Sequence, residues 1–140
     1  MDTNLRYQSI EAFRSHVAAL HDSKLANQRR VLVCCGTGCL AGGAAQVAEA
    51  MAQQLAAIEP EKSAQLQLVM KKTGCHGFCE KGPLVVLLPQ GTFYKGVKAK
   101  DVPEIIKESI LEDRVVERLL YVESSTGERV EKYGDIEFYA

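Results

Sequence analysis

Ile10, Phe13, Val17 and Leu20 recur at helical spacing behind Ser9, a pattern that predicts an amphipathic helix with Ser9 as its cap. Arg29-Arg30 close that arm. Val31-Leu32-Val33 is then apolar without interruption, as expected of a strand covered on both faces. Gly42-Gly43 open the next element, where Val47, Met51, Leu55 and Ile58 again recur at helical spacing until Pro60 stops the run. Leu66, Leu68 and Met70 alternate with Gln65, Gln67 and Val69, so a second strand is predicted there, running into Lys71-Lys72. Gly82-Pro83 launches Leu84 to Leu88, a third strand and the most apolar run of the chain. Pro89-Gln90-Gly91 is turn chemistry, and Thr92-Phe93-Tyr94 reads as the return strand of a hairpin. Asp101 is the predicted cap of a last helix, with Pro103 in its first turn, Glu104 at the capping-box position, and Val102, Ile105, Ile106 and Ile110 on one face.

The predicted order is β-α-β-β-β-α with a helix in front, an α/β unit that closes a two-layer fold. Three stretches follow: an N-terminal helical arm (1–29), a domain (30–113) and a C-terminal extension (114–140). The extension changes character. Val115 to Val122 is apolar, Ser124-Ser125-Thr126-Gly127 is a turn, and charged and aromatic residues then alternate to Ala140. Leu119, Leu120, Tyr121, Val122, Phe138 and Tyr139 are too apolar for a free linker. The extension is therefore expected outside the domain core, docked on a neighbouring domain or subunit or on the domain's own flank.

With 140 residues, 46% of them apolar, the chain can build a core without staples. A net charge of −1 gives no field that argues for nucleic acid or an anionic membrane. No signal-peptide pattern opens the chain, and its longest apolar run, Leu84 to Leu88, is too short to span a bilayer. A cytoplasmic protein with no membrane insertion is expected. In that compartment clustered cysteines point to metal or redox chemistry, and the odd count of five argues against complete disulfide pairing.

The cysteines stand in two glycine-rich loops, each after a predicted strand: Cys34-Cys35-Gly36-Thr37-Gly38-Cys39 and Gly74-Cys75-His76-Gly77-Phe78-Cys79. If the loops meet, four thiolates converge, and a soft metal or an iron–sulfur cluster suits such a site. The glycines let backbone N–H groups approach sulfur, and N–H···S bonds stabilise the more negative, reduced state. Side chains alternate along a strand, so Cys34 and Cys35 face opposite ways and only one joins the site. Spacing does not choose between them.

From about Arg30 to Leu120 the sequence resembles the thioredoxin-like [2Fe-2S] ferredoxin family. The resemblance rests on Gly36-Thr37-Gly38-Cys39, Cys75-His76-Gly77-Phe78-Cys79, Gly82-Pro83 and the stretch Val116-Glu117-Arg118-Leu119-Leu120-Tyr121 before Thr126-Gly127-Glu128. That family includes the small cluster subunit of respiratory complex I and N-terminal domains of flavoprotein subunits in NAD-linked hydrogenases and formate dehydrogenases. The resemblance implies a thioredoxin-like fold with a mixed four-stranded sheet and flanking helices. It also implies a [2Fe-2S] cluster on Cys34, Cys39, Cys75 and Cys79, and one-electron transfer. The partners it implies are a flavin- and NADH-binding subunit or domain and other iron–sulfur subunits; homo-oligomers stay open. No flavin or NADH site is recognised in the chain itself.

A structural zinc site in a non-redox interaction module uses similar ligands. A thiol–disulfide oxidoreductase wants Cys-x-x-Cys, which is absent. Gly36-Thr37-Gly38-Cys39-Leu40-Ala41 fits a dinucleotide fingerprint, but Lys71-Lys72 follow the next strand where an acid would hold the ribose, and the second cysteine pair goes unexplained. His76 reads as an outer-shell or exposed residue once four cysteines complete the set. Lys71, Lys72, Lys81, Lys95 and Lys98 form a solvated face that could also steer an acidic partner. Met51 and Met70 read as core filler.

Overall fold

The computed structural model describes residues 6–22 and 28–139, apart from the side chain of Cys79. The parts of the N-terminal arm at 1–5 and 23–27, and Ala140, lie outside the described residues.

Helix α1 (Ile10–His21) starts where the pattern places it, with the Ser9 hydroxyl accepting the Ala12 N–H at 3.1 Å. It buries none of its residues, and Ile10, Phe13, Val17 and Leu20 stay exposed. Strand β1 (Arg30–Cys34) leads through the first cysteine loop into a short α2 (Thr37–Ala41) and then α3 (Ala44–Ala56). Here the sequence pattern misleads. Pro60 ends one helix but also starts another, α4 (Pro60–Leu66), because a proline's missing N–H costs nothing at a first helical position. Leu66 is therefore helical, Gln67 reverses the chain in a left-handed conformation, and β2 spans Val69–Thr73. Strands β3 (Val85–Leu88) and β4 (Thr92–Tyr94) form the expected hairpin.

The sheet order is β2-β1-β3-β4, with β1 parallel to β2 and antiparallel to β3. It is the mixed four-stranded sheet with flanking helices that the resemblance implies. Period-2 alternation splits it into two faces. Val31, Val33, Val85 and Leu87 pack with Val47, Ala48 and Met51 of α3 and with the last helix. That helix, α5, begins at Val102–Glu104 and continues as a wider π turn through Ile105–Leu111. Its cap also differs from the expectation. Asp101 sits in the preceding 3-10 turn, Ala99–Asp101, and its carboxylate accepts the Lys98 N–H at 2.8 Å. The capping bond is therefore made three residues earlier, with Asp101 as the residue that reaches back.

The second face carries Leu32, Cys34, Leu84, Val86 and Phe93. Of the helices only α2 and the first residue of α3 reach it, through Cys39 and Ala44; the C-terminal extension covers the rest. Tyr121 and Ile136 are buried there, with Val130 and Tyr139 packed against them, while Val116, Leu119 and Leu120 join the first face's cluster. The extension also pairs with the free edge of β4, through bridges Tyr94 to Leu120 and Thr92 to Lys132. Its own hairpin is β5 (Tyr121–Val122) with β6 (Arg129–Val130). The Tyr94 hydroxyl ties the start of the extension down, accepting the Val116 N–H at 3.0 Å and bonding Ser109 Oγ at 2.6 Å. Arg118 adds an ion pair to buried Asp101 at 2.9 Å. So 114–139 lie on the domain's own flank, and Val116, Leu119, Leu120, Tyr121 and Ile136 share its core, where the sequence pattern predicts the extension outside it; Val122 and Phe138 stay exposed. A sheet apolar on both faces needs two covers, and the helices supply only one.

Candidate metal centre

Parallel pairing sets Cys34 opposite Thr73, so the loops after β1 and β2 leave the sheet at the same edge. Cys34 sits at the end of β1, held by its N–H to Leu84 C=O at 3.0 Å, and Cys35 N–H donates to Thr73 C=O at 2.9 Å. Alternation then separates the neighbours. Cys34 faces the second cluster together with Cys39, and both are buried. Cys35 packs against the helix-covered face instead. Cys34 and Cys39 thus share one side of the sheet, and Cys35 is on the other.

Cys39 lies in the single turn of α2, whose carbonyl-to-amide bond from Leu40 N–H to Gly36 C=O (2.9 Å) winds the loop around it. The second loop comes against the first at Gly36. A Cβ placed there would lie 2.9 Å from Cys75 Cβ and 3.0 Å from its Cα, so only glycine lets the loops approach this closely. Cys34 Sγ lies 3.5 Å from Gly74 C=O. Cys75 is exposed, and its sulfur accepts the Gly77 N–H at 3.2 Å. Gly77 has φ +80°, a conformation that turns its N–H onto that sulfur and that side chains at Cβ resist. Cys79 opens a 3-10 turn, Cys79–Lys81; its side chain lies outside the described residues. The donor set is soft thiol sulfur with backbone N–H support, which fits a thiophilic metal or an iron–sulfur cluster.

His76 does not turn its bonding nitrogen to the cysteines. Its Nε2 lies 2.8 Å from Thr73 Oγ1, which itself reaches Val33 C=O at 3.4 Å. Burial lowers the His76 pKa, which favours a neutral ring in this chain of bonds. The pattern of apolar positions does not find Thr73 in this role, since nothing in it distinguishes one β-branched polar residue at a strand end from another.

Aromatic rings close the second loop. Phe78 stacks on Phe138 with centroids 4.8 Å apart and meets Tyr121 at 5.2 Å. Tyr139 donates its hydroxyl to His76 C=O at 2.8 Å. The contacts of Phe138 and Tyr139 join residues about sixty positions apart, so the sequence offers only the aromatic character of Phe138-Tyr139 as a signal. Lys71 and Lys72 are exposed on the edge strand β2, Lys98 is exposed, and Lys81 and Lys95 are half-buried. Among the described residues no helix is long and apolar enough to cross a membrane.

The family model for thioredoxin-like [2Fe-2S] ferredoxins matches residues 19–109. A 2Fe-2S ferredoxin of Aquifex aeolicus is 33% identical over 82 residues, which span 59% of this chain and 71% of that protein. A 2Fe-2S ferredoxin of Clostridium pasteurianum is 43% identical over 53 residues; the match spans 38% of this chain and about half, 52%, of the relative. The solved structure of a thioredoxin-like [2Fe-2S] ferredoxin from Aquifex aeolicus is similar with a TM-score of 0.59 and 30% identity, over 67% of this chain and 90% of that one.

Proposed function

Because the chain belongs to the thioredoxin-like [2Fe-2S] ferredoxin family, we propose that Cys34, Cys39, Cys75 and Cys79 hold one [2Fe-2S] cluster. The protein is an iron–sulfur electron carrier. The cluster supplies the one-electron redox change, and the chain's residues bind it, set its surroundings and limit water. The observation that carries the ligand assignment is the split between neighbours: Cys34 shares a buried cluster of side chains with Cys39, and Cys35 faces away.

The geometry supports a role for each residue. Cys34 and Cys39 present sulfur from a buried, apolar side, which excludes water there. Cys75 stands on the exposed side of the meeting loops, the short path by which an electron reaches a partner. Gly77 N–H donates to Cys75 sulfur and favours the reduced state. The exposed lysines at 71, 72 and 98 suit an acidic docking surface.

The setting we favour is an NAD(H)-linked flavoprotein oxidoreductase of the hydrogenase, formate dehydrogenase or complex I-like kind, with this chain relaying electrons between a flavin-bearing partner and further iron–sulfur centres. What supports it is the resemblance of Val116 to Glu128 to the segment that joins such domains to flavoprotein modules. Anaerobic purification tests the cluster: the expected protein is brown, carries two irons and two sulfides per chain and bleaches with dithionite. A colourless protein holding zinc would overturn it. Copurification with a flavoprotein that reduces the cluster from NADH tests the setting; a flavoprotein partner that leaves the cluster oxidised would refute it.

A further inference from the structure

The peptide group between His76 and Gly77 is held from both ends. Its N–H donates to Cys75 Sγ at 3.2 Å, and its C=O accepts the Tyr139 hydroxyl at 2.8 Å. Tyr139 belongs to the C-terminal 3-10 turn Glu137–Tyr139, beyond the stretch 19–109 that the family model covers. The turn is fixed in place by its own packing. Tyr139 N–H donates to Ile136 C=O at 2.9 Å, Ile136 is fully buried, and the Tyr139 ring meets Phe78 and Phe93 edge-on at 6.1 and 6.2 Å. Phe138 lies over Gly77, within 3.6 Å of where a Cβ would project.

We infer that Tyr139 is a positioning residue for electron transfer, acting through the His76–Gly77 peptide on the sulfur of Cys75. Two physical effects run in the same direction. The hydroxyl fixes the peptide plane, so the N–H stays aimed at sulfur. It also withdraws electron density through the carbonyl, which makes the amide at the other end of the same peptide a stronger donor. A stronger N–H···S bond stabilises the more negative, reduced state and raises the reduction potential. The C-terminal extension thus tunes the centre from outside the family's core as well as covering the sheet. The inference rests on the ligand role of Cys75 proposed above.

The sign of the effect separates it from mere structural support. Loosening the extension admits water beside the loop, and greater solvent exposure also stabilises the more negative state, which moves the potential up. Losing the Tyr139 hydroxyl bond moves it down. The test is a spectroelectrochemical titration of the intact, cluster-loaded protein as wild type, as Tyr139→Phe, and with 3-fluorotyrosine incorporated at position 139. The expected results are a more negative potential for Tyr139→Phe and a more positive one for the fluorinated residue, a stronger donor. Hydrogen exchange of the 74–79 segment should quicken about fivefold in Tyr139→Phe, the factor that matches ~1 kcal/mol for one hydrogen bond. An unchanged or raised potential in Tyr139→Phe overturns the inference, as does an unchanged or lowered one in the fluorinated protein, which also decides the matter if Tyr139→Phe does not load. A colourless wild type would instead overturn the cluster reading and this inference with it.

Discussion

Gly36→Ala is the sharpest test of how the two cysteine loops meet. Gly36 has φ −63° and ψ 160°, a conformation any residue adopts, so alanine brings no backbone strain. The whole effect is steric. The new methyl carbon would stand 2.9 Å from Cys75 Cβ, 3.0 Å from its Cα and 3.3 Å from its N. Those atoms are backbone or the first side-chain atom, and none can swing aside as the end of a long side chain would. The loops must separate by several tenths of an ångström, and overpacking of this kind costs about 1–3 kcal/mol. For a domain of this size that is a fall in Tm of about 3–10 °C. The same displacement moves Cys75 away from Cys34 and Cys39, so iron content per chain should fall alongside. Thermal unfolding followed by circular dichroism, with iron analysis on the same preparation, reads both. Gly134→Ala is the control: no described atom lies within 4 Å of its added methyl, and its stability should stay within about 0.5 kcal/mol of wild type. A Gly36→Ala protein with wild-type stability and full iron would refute the close approach of the loops.

Three further outcomes are expected. Cys34→Ser should lose the visible absorption of the cluster and Cys35→Ser should keep it, because a serine hydroxyl is a far poorer ligand for this iron and only Cys34 faces Cys39; the reverse pattern would exchange the two assignments. Ile136→Ala should lower stability by about 2–5 kcal/mol in denaturant titration, as removal of a fully buried side chain does; a change below ~0.5 kcal/mol would place the extension outside the cooperative core. Burial raises the Tyr94 pKa above its ordinary 10.0, against the smaller opposing effects of its bonds with Ser109 and Val116. The unfolded chain therefore releases this proton first. Tyr94 contributes stability that is complete below about pH 10 and is lost as pH rises through the folded-state pKa. Tyr94→Phe should flatten that alkaline limb while lowering stability near neutrality by about 1–3 kcal/mol, since the Val116 N–H loses a buried partner. An alkaline limb identical to wild type would show that another group is responsible.

The local elements were legible because their causes are local. Ser9 and α1, the spacing of Val47 and Met51 in α3, and the turn before Thr92 each depend on a few neighbouring residues. So was the chemistry, since two glycine-rich cysteine loops after strands restrict the occupant to something thiophilic. Leu66 shows the limit of that reading: alternation at 66, 68 and 70 suits both a strand and the end of a helix, and Pro60 can stop one helix and start the next. Alternation along β1 also says that Cys34 and Cys35 diverge, but not which of the two shares a face with Cys39. That needed the parallel register with β2 and the position of α2, which together put Cys34 beside Cys39. The place of the extension was hidden for a related reason. Its apolar residues demand burial, but the uncovered sheet face that receives Tyr121 and Ile136 exists only once four strands have assembled and the helices have taken the opposite side. Composition and spacing set what each segment must bury or bind; which partner it meets is fixed by contacts between residues far apart in the chain, as when Tyr139 reaches the carbonyl of His76.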